Sequence, residues 1–245
     1  MAANDFIKLG AFVRALFGAS GRRSPAFEEF RRAFCAMSGA GGRLDLEALG
    51  AFQGRERRLA EQMLLSALPD LSAIAALGEL ASPRARRRLT ALFERECVRA
   101  QAACVVGDAH WSGAAMIASA AALWRIDPQE RFPRAAVGRL RFARAASERM
   151  DAAIALARMP TAEVDEALNE ALDDRDALVR HHAARSLLAI HGVEVDPRAT
   201  HCMIYRVMAS EAGRREEGLR DLATALAERP LRGAWRDQDS PGALI

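Results

Sequence analysis

Thr161–Gly192 reads TAEVDEALNEALDDRDALVRHHAARSLLAIHG. Small and apolar residues recur in it at helical spacing twice. Val164, Leu168, Ala171 and Leu172 form one stripe; Val179, Ala183, Ser186, Leu187 and Ile190 form the next. Asp173-Asp174-Arg175-Asp176 lies between them with no apolar face, so it reads as a tight acidic turn joining two helices. Such a unit cannot bury its stripes alone and needs a neighbour of the same kind.

Working outward, the end of that second helix has weak copies upstream: a small residue, Leu, two variable positions and an apolar residue, with a proline close by in most cases. Ala76-Leu77-Gly78-Glu79-Leu80, Ala122-Leu123-Trp124-Arg125-Ile126, Ala155-Leu156-Ala157-Arg158-Met159 and Ser186-Leu187-Leu188-Ala189-Ile190 fit. Their leucines are spaced 46, 33 and 31 residues apart. The last two spacings match helical repeats, which run about 30–45 residues, and the first predicts an extra turn or a lengthened helix around Glu94–His110. Further helices are expected over Asp5–Phe17, with a stripe of Phe6, Leu9, Val13, Leu16 and Phe17, from Pro25 to about Met37, and over 44–52 and 55–68. The segment 112–126 is apolar nearly all round and should be the most buried, and 197–210 and 214–228 make a last pair. Ser38-Gly39-Ala40-Gly41-Gly42 reads as a linker.

The chain has 245 residues, of which 51% are hydrophobic but 6% aromatic, and alanine dominates. That balance favours packed helices over sheet. The longest stretch without a charged residue, Ala109–Trp124, has 16 residues, short of the roughly 20 that a spanning helix needs. The formal charge is +3, and Lys8 is the one lysine among 35 basic residues. So uniform an arginine bias weakens arginine clusters as a nucleic-acid signal. Lys8 and Arg14 interrupt the apolar N-terminal stretch and argue against a signal peptide. Four cysteines without CxxC spacing then suggest a cytoplasmic protein with reduced thiols.

Leu168, Leu172, Asp174, Leu178-Val179-Arg180, Ala183-Ala184, Leu187-Leu188 and Gly192 together resemble a HEAT repeat, in particular the bacterial HEAT-like type named after phycobilisome lyases. The resemblance implies an all-α fold: a short right-handed α-solenoid of about five HEAT-like helix pairs. An irregular helical cap would occupy 1–42, the solenoid 43–229 and a polar tail 230–245, in one compact unit. In that family a turn aspartate and the arginine after valine stack between repeats as a polar ladder; Asp174 and Arg180 match those positions. Second helices line the concave side, where ligands sit. This implies partner contact through His181, His182 and Arg185, together with exposed parts of 147–158 next to Arg149.

Signatures of catalysis are missing: no GxSxG, HExxH or Walker A run is present, and no histidine is followed by glutamate. His181 and His182 are adjacent on a helix and point about 100° apart, which does not suit one metal ion. Neither a cofactor nor a metal is expected. Two charged runs stand out. Seven acids lie in 161–177, with Asp165, Glu166 and Glu170 suited to a basic protein partner. Arg131 to Arg149 and Arg84–Arg88 are basic and would suit nucleic acid if they lined one groove. The expected function is a non-enzymatic protein-binding solenoid, most nearly an immunity-type inhibitor that occludes a toxin or effector and involves no membrane. The alternatives are a DNA-binding repair protein resembling HEAT-like alkylpurine glycosylases, using Trp111, Trp124 and Asp108, and a general assembly scaffold.

Overall fold

The computed structural model describes residues 24–36, 44–106, 113–193, 197–227, 229 and 231. The expected Asp5–Phe17 helix, the Ser38–Gly42 linker, Asp108, Trp111 and most of the tail lie outside them. The described residues are helical throughout their regular structure. The elements are α1 (Pro25–Ala36), α2 (Leu46–Leu49), α3 (Gly54–Ser66), α4 (Leu71–Glu79), α5 (Arg86–Val106), α6 (Ala114–Ile126), α7 (Arg131–Phe142), α8 (Ala146–Leu156), α9 (Ala162–Ala171), α10 (Ala177–Ile190), α11 (Pro197–Met208) and α12 (Ala212–Ala227). The 46-residue spacing has its explanation in α5, a helix of 21 residues.

Helices α3 to α12 form five consecutive pairs, each packing on itself and then on the next in chain order. The second helices α4, α6, α8 and α10 lie side by side in one row, and the first helices α7 and α9 touch in another. This is an all-α, solenoid-like stack. One hydrophobic core runs through it from Phe27 to Leu222. The cap helix α1 joins that core through Phe27, Phe30, Phe34 and Phe52, whose rings lie 5.5–6.0 Å apart. Ser24 fastens its start to α3: its N–H and Oγ both donate to Glu56, at 2.6 and 2.8 Å.

Local chemistry sets the helix boundaries. Asp70, Thr161 and Asp176 each accept from backbone N–H groups of the following first turn. The two ends read as repeats at Leu77 and Leu187 close with the same C-terminal motif. Ser82 N–H donates to Leu77 and Ala81 N–H to Gly78; Val193 N–H donates to Leu188 and Gly192 N–H to Ala189. The motif needs a left-handed residue, supplied by Gly192 at φ 64° but by Ala81 at φ 43°. No position of α6 is exposed, as its all-round apolar surface requires. The row packs tightly because its residues are small: a Cβ on Gly78 would sit 2.8 Å from Ala122 Cα.

Two predictions follow from these positions. Val179, Ala183 and Leu187 are fully buried between α10 and both α9 and α8. Val179→Asp should cost at least about 3 kcal/mol; unchanged thermal unfolding would remove α10 from this seam. The paired caps should respond in opposite directions in urea melts. Ala81→Gly should gain roughly 0.5 kcal/mol by relieving a left-handed alanine, and Gly192→Ala should lose about 1 kcal/mol.

Candidate functional site

Arg149, Arg180 and Arg215 stand seven residues before Leu156, Leu187 and Leu222, at matching places on α8, α10 and α12. Arg149 grips Asp174 with a fork, Nε and Nη2 donating at 2.6 and 2.9 Å, while Nη1 donates to the carbonyls of Ala143 and Arg144, both at 3.0 Å. Arg180 repeats the pattern one pair on. Its Nη1 donates to the carbonyls of Asp174 and Arg175, its Nε to Val207 at 3.1 Å and its Nη2 to Met208 at 2.5 Å. Each guanidinium therefore closes the turn before its own helix and reaches forward to the end of the next pair's first helix. Arg215 donates instead backward, to the Leu172 carbonyl and to Asp173. Burial by itself would raise the pKa of Asp174. The Arg149 fork, the Asp176 N–H and the charges of Arg149 and Arg175 offset this and hold the carboxyl below its usual range.

This ladder corrects one expectation. Arg149, anticipated at a partner surface, is 5% exposed and fully engaged inside the stack. Asp174 and Arg180 do sit in the ladder, but they do not form a side-chain pair with each other; Arg180 takes the Asp174 carbonyl and Arg149 takes its carboxylate.

The two charged runs face each other. Arg134 lies 3.6 Å from Glu163, Arg141 forks onto Glu170 at 2.7 and 3.0 Å and reaches Glu166 at 4.0 Å, and His191 Nε2 is 2.9 Å from Asp165. Arg215 holds Asp173, and Asp176 caps α10. Each of the seven acids thus has a partner within the chain. Surface pairs of this sort add little stability, but they offset part of the acidic field that a basic partner would meet. Asp173 and Glu166 keep the most exposure, at 82% and 71% of their side chains.

The second-helix row carries a groove of about 340 Å³, with a floor of small residues from α6 and walls from α4 and α8. Leu71 and Ile154, 46% and 45% exposed, stand at its edges, and Leu178 on α10 is 53% exposed. At one end Arg125 and Arg158 share Glu79, at 3.1 and 2.7 Å. Asp151 lines the other part. Beside it on α10 the rings of His181 and His182 meet edge to face at 4.8 Å, His181 Nδ1 lies 3.2 Å from Met208 Sδ, and Arg185 is exposed. Burial and the nearby Arg185 charge lower both histidine pKa values, with His182 also lowering that of His181. Both rings are therefore neutral at pH 7.

The structure brings His181, His182 and Arg185 to the second-helix row and leaves Asp165, Glu166 and Glu170 on the preceding first helix. Leu71, Asp151, Ile154 and Arg158 complete the groove and were not singled out from sequence. A signal for one of them existed: Ile154 stands two residues before the repeated leucine, as Arg185, Ala75 and Ala121 do. Trp124 is 6% exposed and belongs to the core. Among the described residues no three His, Cys, Asp or Glu side chains gather as a metal site, and no helix is long and apolar enough to cross a membrane. Compared with protein-family models and with curated proteins, the chain matches none.

Removing either side of the Arg149–Asp174 fork leaves the other charge withdrawn from water. Arg149→Met and Asp174→Asn should each cost about 3 kcal/mol in urea melts at pH 7, and the double variant far less than the sum. The sign with pH follows from the lowered carboxyl. Its contribution is complete above the ordinary carboxyl pKa of about 4 and is lost as pH falls through the depressed folded value. Asp174→Asn should flatten that part of the acid unfolding curve.

Proposed function

We propose that the chain is a non-enzymatic, protein-binding solenoid of HEAT-like repeats whose second-helix row covers a partner protein. The partner class that suits it best is a toxin or effector neutralised by occlusion in the cytoplasm, as immunity proteins do. One observation carries this reading: the second-helix row sets exposed Leu71 and Ile154 at an apolar groove, while on the first helices, where Val98, Phe142 and Tyr205 are exposed, the acids of α9 are engaged by Arg134, Arg141 and His191. Exposed aliphatics around a small-residue floor supply the desolvated anchors that dominate protein interfaces. The arginine ladder supports the same reading, because a face held in one shape loses little entropy on binding. The HEAT resemblance of Thr161–Gly192 adds its own support, since in that family second helices line the ligand side.

The test begins with the neighbouring genes. Co-expression with a toxin domain encoded beside this chain should rescue growth and yield a complex. Two triple variants then locate the surface by binding kinetics. His181, His182 and Arg185 to Ala should speed dissociation by about tenfold or more, while Asp165, Glu166 and Glu170 to Ala should leave it near the parent value. The reverse pattern, with a strong salt dependence of association, would move the interface to the acidic helix.

A further inference from the structure

Asp151 is the one carboxylate among the described residues lining the groove, and it has no ion-pair partner there. Its helix α8 turns Asp151, Ile154 and Ala155 toward the groove, an i, i+3, i+4 stripe, and Arg158 in the turn after α8 lines it as well. The two ends differ. Arg158 and Arg125 are matched by Glu79. Asp151 makes no hydrogen bond or ion pair among the described residues, and its influences are the charges of Glu148 and His182. Glu148, on its own helix, is tied to Arg139 and to the Gly113 N–H. His182, from α10, is the facing imidazole; burial and Arg185 lower its pKa and Asp151 acts against them, so it is a weak counter-charge at neutral pH. Burial and the Glu148 charge accordingly raise the Asp151 pKa.

Resting on the reading of the second-helix row as a protein-binding face, we propose that Asp151 is the receptor for a lysine or arginine of the partner, carried on an aliphatic segment that fills the groove. The complementarity is chemical. Lysine and arginine have apolar stems that lie against a floor such as Ala118 and Ala121 and Ile117 while their heads stay polar. A half-withdrawn carboxylate with no cation gains from receiving one, and the apolar walls strengthen the pair by excluding water. Ile154, beside Asp151, packs against the aliphatic part.

A phage-displayed library of random peptides, panned against the full chain, tests this. Enriched peptides are expected to share a basic residue next to aliphatic ones. They should bind Asp151→Asn at least about tenfold more weakly and be blocked by Ile154→Arg. Asp151→Asn should unfold at or above the parent temperature, because it removes an unpaired carboxylate. Peptides blocked by Ile154→Arg but lacking a basic residue, or binding Asp151→Asn within about twofold of the parent, would overturn the Asp151 assignment and leave the binding face standing. So would a lowered melting temperature of Asp151→Asn, which would make Asp151 a structural acid. Peptides indifferent to Ile154→Arg, or no enrichment at all, would overturn the binding face with it.

Discussion

The fork between Arg149 and Asp174 fixes how one helix pair sits on the next. It joins the second helix of one pair to the turn of the following one, and the same guanidinium closes the turn before its own helix. A buried ion pair of this kind is weak evidence of net stability, since both charges leave water. Its geometry is what counts. Two hydrogen bonds anchor the guanidinium in its own pair and two reach the next, which constrains how adjacent pairs superimpose more than an apolar seam does. Arg180 extends the constraint using backbone carbonyls at the end of α11, so the ladder does not need a carboxylate at every step.

That constraint also decides where the charges go. Stacking the pairs in this register sets the basic helix α7 against the acidic helix α9, so Arg134 and Arg141 meet Glu163, Glu166 and Glu170. What reads in sequence as two opposed surfaces becomes one internal seam, exposed but neutralised. In the second-helix row the charge pairing gathers at Glu79, which Arg125 and Arg158 share. This row is built of residues so small that α4 and α6 approach to within the space of a methyl group, which leaves a shallow apolar groove edged by Leu71 and Ile154. The contrast between the two rows follows from this difference in residue size and charge.

Much of the architecture was legible in the chain. Apolar periodicity located the helices, the acidic run 173–176 marked the turn before α10, and the recurring leucines placed the second helices in a common register. These are local properties: they depend on residues within one or two turns of each other, and on steric rules that hold wherever the segment lies. The arginine position was also readable, because Arg149, Arg180 and Arg215 recur seven residues before Leu156, Leu187 and Leu222. What sequence could not supply was the partner of each charge. Arg149 and Asp174 lie 25 residues apart and Arg158 and Glu79 lie 79 apart, so their meeting depends on how whole helix pairs superimpose. Arg149 looked like a surface residue for that reason, and Asp151 looked like one acid among many. Tertiary structure withdrew the first from solvent and left the second unpaired in an apolar groove, because burial and electrostatic compensation are properties of the assembled stack and not of any one helix.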